Sequence, residues 1–478
     1  MPPSPDADAL SQAEQDAAAL RALGYAQELR RSFGAFGNFA LSFSIISVLT
    51  GAVTLYGHGL LNGGPLVMSL GWWLVTLGTL PVALSLAQLA SSFPTAGALY
   101  HWATLLGGPG WGFATAWLNT IGQFAITAGI DFGLAEFLTS MLGLPDDRGT
   151  KLQVCAVLLL AHGALNHLGV RVVNVLNWLS AWVHLLGVLA IVVALAVLAP
   201  HKPLGFLLTH WTQDARGYGW GFAIGLLQAQ WTYTGYDASA HVTEETVDPS
   251  RNAPRGIVLA VLVSAIAGSL LLCAVTLAIG DAEATRKAAN PFIFILQTSL
   301  GDALGGALIW IAMAAMWFCG LGSVTSNSRM LFAFARDGGV PFSTSIARVS
   351  PRFQSPHVAI WLSVGMAFVV ALWADAYAAM VALSTIALYA SYGLPIWLGW
   401  RARRDGRWHR RGPWDLGRWS PAVNVAAMLW VVGVLILFVL PPNQLAGYAF
   451  AGCCLWLTIY WFAFRRGHFH PPILDTSR

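Results

Sequence analysis

Long apolar runs, separated by short polar clusters, fill most of the chain. A helix needs about 20 apolar residues to cross a bilayer core. Windows of that length predict twelve spans, at roughly 36–60, 66–91, 112–142, 152–169, 174–199, 219–243, 255–279, 303–334, 357–375, 378–400, 421–440 and 446–464. In two of them the apolar pattern breaks at mid-span. In the first the interruption is Ser44-Ile-Ile-Ser47-Val-Leu-Thr50-Gly51, and in the sixth it is Thr232-Tyr-Thr-Gly-Tyr-Asp237. Exposed backbone and charge are costly at that depth unless they line a cavity enclosed by protein.

The two breaks have corresponding positions. Residues 36–199 and 219–400 each hold five spans, and each set opens on its broken one. Paired broken helices point to an inverted-repeat transporter with its site at the repeat interface. The expected fold is therefore all-α and membrane-embedded, with twelve transmembrane helices in a 5+5 repeat plus two C-terminal helices. The remaining segments are a tail over 1–35, a basic loop over 401–420, helices 11 and 12 over 421–464, and a tail over 465–478.

Composition agrees with lipid as the solvent. The 478 residues are 56% hydrophobic and 10% charged, with mean hydropathy +0.62. A soluble chain carries about 25% charged residues. No cleavable signal peptide is expected, because the first 30 residues carry Asp6, Asp8, Glu14 and Asp16 without an apolar core of the needed kind. Placing the N-terminus in the cytoplasm puts 20 of the 26 Lys and Arg residues in inner segments. The positive-inside rule then predicts both termini cytoplasmic. The net charge of +4 reflects this topology and does not call for a nucleic-acid partner.

Several chemistries find no support. The five cysteines, Cys155, Cys273, Cys319, Cys453 and Cys454, lack metal-ligand spacing and are expected as free packed thiols. No Gly-rich phosphate loop ending in Lys and Ser/Thr occurs, which argues against direct ATP drive. No nucleophile–base arrangement stands out, so neither an enzyme nor a bound cofactor is expected.

Longer motifs carry a family resemblance. The block Leu86-Ala-Gln-Leu-Ala-Ser-Ser-Phe-Pro-Thr-Ala-Gly-Ala-Leu-Tyr-His-Trp102 resembles the amino acid–polyamine–organocation permeases. Leu23-Gly-Tyr-Ala-Gln-Glu-Leu-Arg-Arg-Ser-Phe33, the span 1 segment Ser42–Gly51, Gly235-Tyr-Asp-Ala-Ser-Ala-His-Val-Thr-Glu-Glu245 and Ser328-Arg-Met-Leu-Phe-Ala-Phe-Ala-Arg-Asp-Gly-Gly-Val-Pro341 are similar to its amino acid/choline transporter branch. The resemblance implies a fold like the bacterial leucine transporter. It also implies uptake of amino acids, 4-aminobutyrate, choline or polyamines.

Breaking span 1 is expected to free N–H groups at Thr50, Gly51 and Ala52. They would head the outer half-helix, whose positive end suits a carboxylate. Ser47 and Thr50 add hydroxyls, and Gly51 permits close approach. The competing reading is a Ser/Thr-rich helix bonding its own carbonyls. In span 6, the carbonyls of Trp231, Thr232 and Thr234 would accept from an ammonium. The resemblance implies that the amine binds here and that an aromatic gate stands at Trp231; ordinary packing competes. Asp237 would either meet a cationic group of the substrate or shape the break through backbone N–H groups. Gln123 in span 3 either borders the cavity or bonds a neighbouring helix.

Ion coupling falls to His184 in span 5. Some similar permeases carry a Lys at the matching place, in the position of a coupling sodium ion. A His titrates near physiological pH. Ser323, Thr325 and Ser326 of span 8 would form the other wall of that site; a buried neutral His bonded to a carbonyl competes. Asp131 and Glu136 are expected to be hydrated near the outer mouth. Glu244 and Glu245 are expected to anchor the inner loop with Arg251 or Arg255. The basic loop is read as an inside anchor, with anionic lipid as the alternative role.

These residues point to a secondary transporter in the plasma membrane, carrying an amino acid or an amine such as 4-aminobutyrate by alternating access. The proton is the expected coupling ion, with sodium or exchange as alternatives. A choline or polyamine transporter, a nutrient sensor and a channel with the same fold are the competing functions.

Overall fold

The computed structural model describes residues 12–373 and 377–467, together with Phe469 and Pro471. Residues 1–11 of the expected N-terminal tail, the last two residues of the expected ninth span and most of the C-terminal tail lie outside the described residues.

Among those described, the chain is helix and loop, with one isolated bridge between Phe33 and Thr246. In chain order the helices are α1 (Gln12–Arg21), α2 (Ala35–Ile46), α3 (Val48–Thr54), α4 (Tyr56–Leu66), α5 (Trp72–Ser92), α6 (Ala98–Gly107), α7 (Pro109–Leu142), α8 (Arg148–His167) and α9 (Val170–Leu198). Next come α10 (Tyr218–Gly225), α11 (Leu227–Thr232), α12 (Ala238–His241), α13 (Pro249–Leu277), α14 (Ala282–Lys287) and α15 (Pro291–Arg336). The last are α16 (Ser343–Ile346), α17 (His357–Ala371), α18 (Tyr377–Arg404), α19 (Ser420–Val439) and α20 (Gln444–Tyr460).

Nine helical stretches among the described residues are long and apolar enough to cross a membrane. The other three expected spans differ for visible reasons. The fourth, α8, carries His162, Asn166 and His167. The sixth is cut into α10, α11 and α12. The ninth, α17, has 15 helical residues.

The bundle is apolar outside, and its largely apolar interior also holds polar and ionisable residues. Leu77, Val157, Val197, Leu270, Leu429 and Ile436 are each more than half exposed, while Asn119, Thr127, Asp131, His184 and Asp237 are buried. In water this arrangement would be unstable; in lipid it is expected. The buried core is built by α7 packed on α6, α8, α15 and α18, and by α13 packed on α2 and α5.

The chain from Tyr25 to Phe33 closes one end of this core. Leu23, Tyr25, Leu29 and Phe33 are buried there. The N–H groups of Ser32 and Phe33 donate to the Glu245 carbonyl at 2.8 and 2.9 Å, and Val247 N–H returns to the Phe33 carbonyl at 2.9 Å. This end is called the N-terminal face below.

Candidate functional site

The first break falls at Ser47, whose left-handed backbone (φ 33°) separates α2 from α3. The helix resumes at once. Thr50 and Gly51 donate their N–H groups to the Ser47 carbonyl at 2.8 and 3.0 Å. The N–H groups of these two residues are thus engaged, and the break lies three residues earlier than Thr50. Ser47 Oγ and Thr50 Oγ1 are 2.5 Å apart.

The second break runs from Tyr233 to Asp237, between α11 and α12. Gly235 takes φ 83°, and a side chain there would meet Ile45 Cγ2 at 2.2 Å. Only glycine meets both demands. Side chains satisfy much of the freed backbone. Tyr389 donates to the Tyr233 carbonyl at 2.8 Å, Ser42 to the Tyr236 carbonyl at 2.8 Å, and Thr234 to the Trp231 carbonyl at 2.6 Å.

Residues of both breaks line one small cavity. Its lining includes Thr50 and Gly51 from the first break, Trp231, Thr232 and Thr234 from the second, and the apolar Ile46, Ile126, Ile130 and Cys319. Its volume is about 10 Å³, the least that holds one water. Any larger solute requires the surrounding helices to part. Trp231 is buried across the cavity, with its indole N–H donating to Ser384 Oγ at 3.1 Å.

Not every expected site residue lines that space. Ser47 turns toward α9, where His184 Nε2 lies 2.7 Å from Ser47 Oγ. His184 Nδ1 lies 2.8 Å from the Ser180 carbonyl, and Ser180 Oγ donates to Ser44 Oγ at 2.6 Å. Ala52 is buried, and its carbonyl accepts from Gln228 at 3.1 Å. Asp237 is fully buried in a side-chain network. Tyr392 donates to it at 2.7 Å and Asn119 at 3.3 Å, with His241 Nε2 at 3.1 Å.

The expected α15 hydroxyls bond to other helices. Ser326 accepts from Gln123 at 3.1 Å, and Ser323 lies 2.6 Å from Thr127 Oγ1. Thr325 donates to Asn166 Oδ1 at 2.8 Å. Gln123 therefore makes a helix–helix bond, and these three hydroxyls lead toward α7 and α8.

Two acidic expectations need correction. Asp131 is fully buried beside His162 and is not hydrated at a mouth. Glu244 and Glu245 pair with α15, not with Arg251 or Arg255. Glu245 faces Arg329 at 3.1 and 3.2 Å, and Glu244 faces Arg336 at 2.9 and 3.0 Å. Arg251 instead lies 3.4 Å from Asp248. The long α15 brings its arginines under the second break, a relation that spacing along the chain does not reveal. All five cysteines are free.

Below the cavity, the N-terminal face is closed by further contacts. Arg336 stacks over the Tyr25 ring at 4.1 Å. Tyr25 and Tyr100 both donate to Asp337 Oδ2, at 2.8 and 2.9 Å. Burial pushes the Asp337 carboxyl up to about 6, although both tyrosines and Arg336 favour its charged form.

An apolar-surfaced helical bundle with two broken helices around a shared cavity is the build of a membrane permease for a small solute. The chain belongs to the amino acid permease family, which matches residues 33–464. It is 37% identical to amino-acid permease BAT1 of Arabidopsis thaliana, over 95% of both chains. A homolog of that permease from Oryza sativa subsp. japonica is also 37% identical, over 92% of this chain and 91% of its own. A GABA-specific permease of Saccharomyces cerevisiae is 28% identical, over 96% of this chain and 86% of its own.

Sequence reasoning did not find Tyr389, Tyr392, Asn119 and His241, which hold the second break, or Ile126, Ile130 and Cys319, which wall the cavity. Tyr389 and Tyr392 are polar rings one helical turn apart in an apolar span, a weak signal. The wall residues look like any other membrane-span residues.

Proposed function

We propose that this permease is a secondary active transporter for small zwitterionic amino acids, including 4-aminobutyrate. The observation that carries this reading is the cavity shared by Thr50, Gly51, Trp231, Thr232 and Thr234. Its described lining offers hydroxyls, backbone and apolar walls, and no charged side chain. A solute bearing one carboxylate and one amine suits such a site. The carboxylate goes to the α3 end, with Ser47 and Ala52 shaping the turn. The amine goes to the carbonyls of Trp231, Thr232 and Thr234. Asp237 acts from behind as the anchor of the second break, and Gln123 ties α7 to α15. The name of the yeast relative supports 4-aminobutyrate as one member of the class.

In this reading the chain crosses the plasma membrane twelve times, as a 5+5 inverted repeat plus α19 and α20. Both termini are cytoplasmic, so the N-terminal face is the inner gate. Transport proceeds by alternating access and is driven by protons. His184 couples the ion step to the first break through Ser47, and Ser323, Thr325 and Ser326 link α15 to the helices that carry that step.

The test is uptake by proteoliposomes of labelled alanine, arginine, 4-aminobutyrate, putrescine and choline, with and without an inward proton gradient. Saturable uptake of alanine or 4-aminobutyrate that rises with the gradient is expected. Uptake of putrescine or choline alone would overturn the zwitterion site.

A further inference from the structure

Behind the cavity wall lies a second ionisable pair. Ile130 and Cys319 line the cavity; the residue after Ile130 is Asp131, a member of the pair, and the residue after Cys319, Gly320, lies against it. Asp131 on α7 and His162 on α8 are both fully buried, with His162 Nδ1 3.2 Å from Asp131 Oδ1. The contact is close but poorly aligned. Neither carboxylate oxygen of Asp131 and neither ring nitrogen of His162 finds a hydrogen-bond partner among the described residues. A side chain at position 320 would come within 2.4 Å of Asp131 Oδ1 and 2.6 Å of His162 Cε1, so glycine there keeps space around both groups.

Such an arrangement is poor glue. Residues that serve helix packing align their hydrogen bonds, as Gln123 does with Ser326. Four unsatisfied polar atoms in a membrane interior are expensive. Ionisable residues retained there mark ion or proton paths. The charged side chains nearby have partners of their own. On α7 the next acid, Glu136, faces Lys151 at 3.7 Å. The thiols nearby are Cys155 of α8 and Cys319 of α15, both buried. Trp317 of α15 meets the His162 ring edge-on, with centroids 5.1 Å apart. Arg329 of α15 is committed to Glu245. On α17 the only titratable side chain is His357, at its first residue. On α9, His184 is held by Ser47 and Ser180.

A polar trail runs from the His162 backbone, one covalent step from the pair, to the inner gate. The His162 carbonyl accepts from Asn166 at 3.0 Å. Asn166 Oδ1 accepts from Thr325 at 2.8 Å and from Arg329 at 3.3 Å. Arg329 in turn holds Glu245, in the turn that follows α12.

We propose that Asp131 and His162 form the proton-binding site of the transport cycle. This rests on the proton-coupled transporter reading above. With the carboxylate ionised and the imidazole neutral the pair carries one negative charge, and it carries none after the Asp131 carboxylate takes up one proton from water at the outer face, the imidazole staying neutral. The same proton leaves to water at the N-terminal face when the gate opens. The change of charge beside Ile130 and Cys319 links proton occupancy to the cavity, and the Asn166–Arg329 trail links it to the gate.

The experiment uses full-length protein in proteoliposomes, with labelled alanine and 4-aminobutyrate as probes. Asp131→Asn is expected to abolish gradient-driven accumulation while counterflow exchange persists, and His162→Gln is expected to shift the pH at which uptake rises. Infrared difference spectra between acid and alkaline buffer give a readout that needs no substrate. A protonated-carboxyl band present in the natural protein should vanish in Asp131→Asn and move in Asp131→Glu, the variant to use if the Asn form does not fold. Undiminished accumulation by Asp131→Asn, or a spectrum in which every protonated-carboxyl band is unchanged in both variants (Asp337 contributes one of its own), would overturn the proposal. If the natural protein transports neither probe, the function reading fails, and the spectra alone decide whether the pair binds a proton.

Discussion

Gly51 and Thr232 place the two broken helices in direct contact. A Cβ built on Gly51 would lie 2.5 Å from Thr232 Oγ1 and 2.8 Å from its Cα. The second distance is to backbone, so no rotamer change relieves it. Gly51→Ala should therefore wedge the breaks apart, with loss of uptake and about 1–3 kcal/mol of destabilisation from overpacking. Uptake assays and thermal unfolding in detergent check this. Full activity would mean that the helices separate more easily than their packing implies.

Asp237 offers a test of anchor against substrate contact. Asp237→Asn preserves an acceptor for Tyr392 and should leave substrate affinity unchanged. Asp237→Ala strands the Tyr392 hydroxyl and His241 Nε2, at a cost of about 1–3 kcal/mol for each group left unpaired, while Asn119 keeps Ser391 at 3.1 Å. Binding titration and melting of both variants decide the matter. A large loss of affinity in the Asn form with normal melting would restore Asp237 to the substrate.

His184 reaches the first break through one bond, to Ser47. His184→Ala should abolish proton-driven accumulation and spare counterflow exchange. Loss of neither would remove His184 from coupling.

The Glu245–Arg329 pair is fully buried. Glu245→Gln removes one charge and strands the other, at a cost of about 3–5 kcal/mol for breaking a buried pair. Thermal unfolding should show the drop. A melting temperature equal to that of the natural protein would mean that water or another group reaches Arg329.

The Asp337 carboxyl makes the closed N-terminal face pH-dependent. Its value is raised to about 6 in the closed face, above the ordinary 3.8 it would regain if released. A raised acid binds its proton more tightly when closed, so closure is favoured by protonation. That contribution is full below the ordinary value, fades as pH rises between the two values, and is absent above about 6. Hydrogen exchange of residues 12–33 should accordingly slow as pH is lowered from 7 to 5 (after correction for intrinsic exchange), and Asp337→Asn should flatten the trend.

Much of the architecture was legible from hydrophobic length alone. Lipid accepts only segments that satisfy their own backbone, so apolar runs of the right size had to be helices. The Gly, Ser, Thr and Asp residues inside two runs likewise exposed the breaks, because such residues at that depth need a reason. Side-chain partners were not legible. Asp131 was placed at a wet mouth because its chain position lies toward one end of α7; only the packing of α7, α8 and α15 put His162 beside it. Glu244 and Glu245 were matched to nearby arginines, whereas the fold delivers Arg336 and Arg329 from 92 and 84 residues away.

The sequence by itself determined the solvent, the helical class and the two interrupted segments. These follow from local transfer and backbone costs, which each residue meets whatever its neighbours. The tertiary structure alone decided which polar groups meet. Hydrogen bonds and ion pairs inside the bundle join helices distant in the chain, and their geometry exists only once the helices have packed.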